Sequence, residues 1–297
     1  MASKMRFNGV YTALVTPFTR GGKEIDYASL RKLVEWQISQ GVDGLVPMGS
    51  TGENTLVSDE ERLKVIAEVV KWTDKRVPVI AGTGSHSTDH AVYLAQAAKD
   101  AGADACLVIP PYYLRPTQQG IYNHYKAIAE VGLPVMIYNN PARAGICVEP
   151  KTIAELSKLP GIVALKDATP SLDNVIEVLA LCDINVISGS DNFALPMMAV
   201  GATGVMSILS NAAPQRVLAI TKAFQQGDIA AAREAHTKNV QLVNSLFVEA
   251  NPQPIKKVME LLGHCSGTVR RPLTECSPET VELLVNQLKA DNLLPTE

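Results

Sequence analysis

Eight short apolar runs, rich in Val and Ile, recur along the chain at residues 10–18, 43–50, 77–84, 105–113, 134–141, 162–169, 184–191 and 204–211. Their hydrophobicity is nearly continuous rather than alternating. That is the pattern of parallel strands covered on both faces. Stretches of helical periodicity lie between them. In residues 58–73, Ser58 and Glu61 form a capping-box signature, and Leu63, Ile66, Ala67 and Val70 make one apolar stripe. Residues 26–40 behave alike through Leu30, Leu33 and Val34, with Gly41 closing the helix. Segments 87–101, 117–131, 149–159, 171–182 and 213–226 are compatible with helices. Residues 191–200 fit least well, because Pro196 interrupts them.

Regular alternation of eight strands with helices predicts a (β/α)8 TIM barrel over residues 1–228. A doubly wound open sheet is the fallback, and it usually carries a G-x-G-x-x-G turn after the first strand; none is present. Strand signals stop after about residue 228. Residues 229–297 then read as an all-helical appendage, with helices at 228–249 and 254–263. A last helix opens at Ser277-Pro278 and ends near Leu294.

Composition narrows the function without choosing it. The 297 residues are 46% hydrophobic, and 27 basic residues nearly balance 30 acidic ones, for a net charge of -3. Neither nucleic acid nor an anionic membrane is called for as a partner. Five cysteines (Cys106, Cys147, Cys182, Cys265, Cys276) have no C-x-x-C pair, as in a chain kept reduced. The N-terminus has no apolar leader core, and no run of 18 apolar residues occurs. A cytoplasmic location is expected.

Barrel active sites lie at the C-terminal ends of the strands, so the residues delivered there matter most. The second strand delivers Ser50, Thr51, Gly52 and Glu53, and the fourth delivers Tyr112 and Tyr113. The fifth delivers Tyr138 and, in the next loop, Arg143. The sixth delivers Lys166, and the seventh Gly189. A lysine in water has a pKa of about 10.4 and is almost wholly charged near neutrality. Burial penalises the charge, and a neutral amine attacks ketones and aldehydes to form a Schiff base. Tyr138, Ser50 and Tyr113 supply a hydroxyl chain for the proton transfers. Arg143 suits a substrate carboxylate through two parallel hydrogen bonds.

Each of these residues also has an ordinary reading. Lys166 pairs with Asp167 or another barrel carboxylate, and residues 50–52 cap the second helix. The tyrosines pack, and Arg143 is solvated. Those readings explain poorly why polar candidates fall on five matching strand ends. No G-x-S-x-G elbow, H-E-x-x-H or P-loop supports a rival chemistry. The five histidines lack ligand-like spacing with carboxylates, so no metal is expected.

Four stretches carry a family resemblance: Gly49-Ser50-Thr51-Gly52-Glu53, Pro111-Tyr112-Tyr113, Tyr138-Asn139-Asn140-Pro141-Ala142-Arg143 and Lys166-Asp167-Ala168-Thr169. With 247-FVEANPQPIKK-257 and 269-VRRPLT-274, they resemble, in order, the signatures of the 4-hydroxy-tetrahydrodipicolinate synthases, within the class I pyruvate aldolases. The resemblance implies a lyase of lysine and diaminopimelate biosynthesis that condenses pyruvate with aspartate 4-semialdehyde. It implies a covalent lysine–pyruvate Schiff base, no separate cofactor, and a homotetramer built as a dimer of dimers. Lys166 then holds pyruvate, Thr51 binds its carboxylate, and Ser50, Tyr138 and Tyr113 relay protons, Tyr113 in a neighbouring subunit's site. Arg143 binds the second substrate's carboxylate, and Gly189 and Met206 shape the pocket. The alternatives are a sister aldolase acting on a sugar acid or sialic acid, and a silent keto-acid-binding paralogue.

The chain departs from the family pattern at Ser50 (usually threonine), Ala144 (usually threonine), Pro170 (usually glycine) and Gln253. In lysine-inhibited members, a cleft at the dimer interface binds the effector. Tyr112 is retained there, but Arg62, His86 and His90 stand in for the usual residues, His90 in place of a glutamate. The expectation is weak or absent inhibition by lysine.

Overall fold

The structure, a computed structural model, describes residues 6–295. The expected absence of a leader bears partly on residues 1–5, which lie outside the described residues. Eight parallel strands form one sheet: β1 (Gly9–Ala13), β2 (Gly44–Val46), β3 (Ile80–Gly82), β4 (Ala105–Val108), β5 (Val135–Asn139), β6 (Ile162–Asp167), β7 (Asn185–Ser188) and β8 (Gly204–Ser207). They join in the order β2-β1-β8-β7-β6-β5-β4-β3. A parallel bridge between Leu45 and Val79, with Leu45 N–H donating to Pro78 O at 3.0 Å, closes the ring. The expected (β/α)8 barrel is the observed fold.

The strands are shorter than the apolar runs. Leu14, Val15 and Phe18 continue past β1, and Met48 past β2, fully buried beyond the strand ends; Leu14 N–H still donates to Val46 O at 3.1 Å, and Phe18 bridges Ile25. Burial extends the hydrophobic pattern beyond the regular strands. Inside the barrel, alternate residues such as Tyr11, Val46, Ile80, Met136, Ala164 and Met206 form one apolar plug.

The outer helices are α1 (Tyr27–Ser39), α2 (Asp59–Thr73), α3 (Thr88–Asp100), α4 (Gln118–Ala129), α5 (Pro141–Ala144), α6 (Pro150–Leu156), α7 (Leu172–Leu181), α8 (Ala194–Ala199) and α9 (Pro214–Gln225). At α2, Glu61 N–H donates to Ser58 Oγ at 3.2 Å, and Ser58 N–H donates back to Glu61 at 3.0 Å, completing the capping box. Gly41, at φ +81°, ends α1 with its N–H on Ile38 O, a left-handed turn that favours glycine. The weak segment 191–200 resolves into a 3-10 turn (Asp191–Phe193) and α8. Pro196 sits in the first turn of α8, where its missing N–H breaks no intrahelical bond.

The stripe expected on α2 is rotated. The buried residues are Arg62, Val65, Ile66, Val69 and Thr73, while Ala67 is exposed. Arg62 turns inward because its guanidinium donates to Gly82 O at 2.8 and 3.1 Å and to Gly84 O at 3.1 Å. A cation whose donors are met by backbone carbonyls occupies a core position that pattern reading gives to an alkyl chain.

Three helices follow: α10 (Ile229–Ser245), α11 (Gln253–Leu261) and α12 (Pro278–Ala290), the last ending short of the expected Leu294. Leu242, Leu246, Ile255, Val258 and Leu284 share one apolar cluster with Val10 and Val15 on the β1 side and Val205 of β8. A second tie is ionic. Lys256 Nζ lies 2.6 Å from Glu53 Oε1, with both side chains wholly buried, and donates to Thr16 O at 2.8 Å. Glu53 Oε2 accepts Arg270 N–H at 2.9 Å. Lys256 and the Arg270 guanidinium both contact the Phe18 ring, at 4.1 and 4.5 Å from its centroid. Burial holds the Lys256 amine below its ordinary pKa, and Glu53 opposes that shift.

Removing one partner strands a buried charge, which typically costs about 3–5 kcal/mol. Lys256→Met is therefore expected to destabilise the protein by that order in chemical denaturation. Adding Glu53→Gln to Lys256→Met is expected to recover part of the loss. Equal stability of Lys256→Met and the parent refutes the tie.

Candidate active site

The site is set by strand register. In β6 the side chains of Ala164 and Lys166 point into the barrel, whereas Asp167 points away. The strand runs through Lys166 to Asp167, so the lysine is an interior residue of the ladder rather than a residue beyond its end. Lys166 is in register with Tyr138 of β5, and its Nζ lies 4.1 Å from the Tyr138 ring centroid. Both are buried, at 6% and 7% exposure.

Lys166 makes no ion pair with a carboxylate among the described residues. Asp167 is held elsewhere, accepting from Thr169 N–H at 3.0 Å, Thr169 Oγ1 at 2.5 Å and Asn174 Nδ2 at 2.7 Å. Asp191 caps the turn after β8 through Ile208 N–H at 2.9 Å, Leu209 N–H at 3.2 Å and the Ser207 hydroxyl. Burial lowers the Lys166 pKa; Tyr138 opposes the shift and Arg143 adds to it. For Tyr138, burial pushes the phenol up, but Lys166, Arg143, Asn140 and Ser50 outweigh it and the net shift is downward. A lysine leaning neutral beside a phenol leaning acidic is a pair poised for proton exchange.

These groups line a cavity of about 190 Å³. Its apolar wall includes Val46, Leu107 and Met206, and its polar wall Ser50, Thr51, Tyr138, Arg143 and Lys166. Ser50 and Thr51 are carried by a 3-10 turn (Ser50–Gly52) directly after β2. They do not cap α2, which Ser58 caps. Gly189 packs against Lys166: a Cβ there would lie 2.8 Å from Ala168 Cβ and 3.1 Å from Lys166 Cε. Arg143, exposed on α5, donates to Asn251 O at 3.2 Å.

Tyr113 is the predicted residue that the fold does not bring into this cavity. It is 89% exposed on the β4–α4 loop, in a left-handed conformation at φ +72°. Tyr112 lines a smaller adjoining cavity with Asn54, Thr55 and Ile109; Ser50 and Arg143 line both. The expected effector residues gather round the turn after β3. His86 meets Tyr112 edge-on at 5.6 Å. His90 lies between Asp59 at 2.9 Å and Ser85 at 3.0 Å. Burial pushes the Arg62 pKa down to about 10.

Two asparagines were missed. Asn140 donates from Nδ2 to Tyr138 Oη at 2.8 Å and accepts Arg143 N–H on Oδ1 at 3.1 Å, joining the phenol to the arginine helix. Its place before Pro141, at a helix start, was the available signal. Asn251 donates to Thr51 Oγ1 at 3.1 Å across 200 residues of chain, and no local pattern announces that contact.

A closed barrel with a desolvated, unpaired lysine beside a tyrosine at its mouth defines a lyase of the class I aldolase type. The comparisons with known proteins give the family. The model of the dihydrodipicolinate synthetase family matches residues 6–291, and the chain belongs to that family. The 4-hydroxy-tetrahydrodipicolinate synthase of Geobacter metallireducens is 45% identical over 97% of this chain and 100% of its own length. A crystal structure of dihydrodipicolinate synthase from Aquifex aeolicus aligns with TM-score 0.94 at 41% identity, over 97% of this chain and 99% of that one. The chloride-inhibited enzyme of Acinetobacter baumannii, complexed with pyruvate, aligns with TM-score 0.94 at 40% identity over the same shares.

The lowered Lys166 pKa has a sign in stability. The unfolded chain binds a proton that the folded state holds less tightly, so this group contributes against folding below its ordinary pKa. Lys166→Met is expected to be more stable than the parent at neutral pH. The gap is expected to shrink as pH rises towards the unperturbed value of 10.5. Thermal melts of both proteins across pH 7–10 check this; a gap that widens with pH overturns it.

Proposed function

We propose that this chain condenses pyruvate with L-aspartate 4-semialdehyde to form 4-hydroxy-tetrahydrodipicolinate, with Lys166 as the Schiff-base residue. The observation that carries the reading is the unpaired Lys166 amine, buried 4.1 Å from the Tyr138 ring centroid inside the cavity. The pyruvate bound to the Acinetobacter baumannii enzyme supports the first substrate.

Neutral Lys166 Nζ attacks the keto carbon of pyruvate, and loss of water leaves an iminium. Removal of a methyl proton gives an enamine, whose terminal carbon attacks the aldehyde. The substrate's own amino nitrogen then attacks the imine carbon, closing the ring and releasing the lysine. Tyr138, with its lowered pKa, carries the protons, and Ser50 passes them outward. Thr51 binds the pyruvate carboxylate, while Gly189 and Met206 fit the walls to a three-carbon acid. Arg143 binds the semialdehyde carboxylate; a polyhydroxylated sugar acid has less use for a guanidinium there. Tyr113 completes the relay from a neighbouring copy in a homotetramer, which accounts for its exposure in one chain. The five free thiols suit a cytoplasmic enzyme.

Incubation with pyruvate followed by borohydride is expected to leave a reduced adduct on Lys166, read by mass spectrometry. Lys166→Ala is expected to leave none while keeping the circular dichroism of the parent. Arg143→Ala is expected to raise KM for the semialdehyde by roughly 10- to 100-fold, the loss of one charge-assisted contact. Absence of the adduct refutes the Schiff-base reading.

Of the four effector positions, Arg62 is committed to the Gly82 and Gly84 carbonyls, and His90, standing where the effector-binding members have a glutamate, is engaged by Asp59 and Ser85. Lysine is expected to inhibit weakly or not at all. Inhibition at sub-millimolar lysine in a steady-state assay overturns that expectation.

A further inference from the structure

The second substrate carries a group that nothing above receives: its α-amino nitrogen. The cavity holds one atom without a counterpart. Asn251 lines the cavity, is 8% exposed, and its Oδ1 is buried with no hydrogen-bond partner among the described residues. Its amide nitrogen and its backbone oxygen are committed. Nδ2 donates to Thr51 Oγ1 at 3.1 Å, and the backbone oxygen accepts from Arg143 Nη2 at 3.2 Å. A buried acceptor left unpaired costs about as much as a lost hydrogen bond, so in a ligand cavity it is matched to a donor on the ligand.

The orientation of the amide also matters for Thr51. Because Thr51 Oγ1 accepts from Nδ2, its own hydroxyl proton stays free to donate to a carboxylate. Turned the other way, Asn251 would take that proton for itself. One side chain therefore sets the polarity of the first substrate's anchor and presents an acceptor to the second substrate.

Building on the synthase reading above, we propose that Asn251 is a specificity residue. Its Oδ1 accepts an N–H of the semialdehyde's α-amino group while Arg143, held on the same residue's backbone oxygen, binds the carboxylate. The two recognition elements for an α-amino acid are then both tied to Asn251, one through its side chain and one through its backbone oxygen. A neutral acceptor suits the chemistry. The amine must shed its proton before it attacks the imine, and a carboxylate in that place would hold it protonated.

The test compares Asn251→Ala with the parent on two aldehydes. Aspartate 4-semialdehyde is the substrate, and 4-oxobutanoate, the same chain without the amino group, is the competitor. Asn251→Ala is expected to raise KM for the semialdehyde at least about tenfold, leave the inhibition constant of 4-oxobutanoate unchanged, and still trap pyruvate on Lys166. Asn251→Asp, nearly isosteric, is expected to shift the acid-side, ascending limb of the pH–rate profile to higher pH, because the amine then loses its proton later. A parallel rise of both constants overturns the proposal, because Asn251 then acts only by holding Arg143 and Thr51. An unchanged KM, or an unshifted profile in Asn251→Asp, also overturns it. Failure of the parent itself to consume the semialdehyde, with pyruvate still trapped, instead defeats the synthase reading.

Discussion

The arrangement depends on one constraint: an amine is held inside a hydrogen-bonded barrel with no carboxylate paired to it among the described residues. The period of two along β6 sends Lys166 inward, and the parallel register sets it beside Tyr138. Desolvation penalises the ammonium, and the phenol beside it is the group able to share its proton. Had Asp167 pointed the same way as Lys166, the pair would have formed a structural ion pair and the amine would have stayed charged. The pleat separates them. Asp167 goes to the outer layer, where Thr169 and Asn174 satisfy it.

The surrounding polar network keeps this arrangement open. Asp191 is a buried acid whose charge raises the Lys166 pKa, yet its oxygens are filled by two backbone N–H groups and the Ser207 hydroxyl. Asn140 fixes the Tyr138 hydroxyl and the start of the arginine-bearing helix together. Gly189 leaves the space that the lysine stem occupies, since a single methyl there would reach Lys166 Cε. Each of these contacts removes a way for the lysine to be neutralised or displaced, and together they hold the cavity at the barrel mouth.

The barrel was legible because strands buried on both faces print an unbroken apolar run, and eight such runs leave few alternatives. Strand lengths were not, since Val15 and Met48 are buried by packing beyond the strand ends. The α2 stripe was misread because Arg62 meets its donors inside, on Gly82 and Gly84 carbonyls that sequence gives no reason to expect. Lys166, Tyr138, Ser50, Thr51 and Arg143 stood out because each follows a strand signal. Asn251 did not. It lies outside the eight βα units, and its role is fixed by contacts with Thr51 and Arg143 that only the folded chain creates. Tyr113 is the opposite case: evident in sequence, but placed on the surface of the single chain.

The C-terminal helices are therefore more than an addition to a finished barrel. The segment leading into α11 meets the 49–53 loop twice, through Asn251 on Thr51 and through Lys256 on Glu53. The first contact orients a hydroxyl; the second holds the turn that carries it. Glu53 sits at φ +57°, directly after the 3-10 turn, so the backbone must be held in a conformation it does not favour. A fully buried ion pair, with Arg270 N–H on the second carboxylate oxygen, supplies that restraint. The geometry of the 49–53 loop thus depends on residues far along the chain, and the tail helps to shape the barrel mouth.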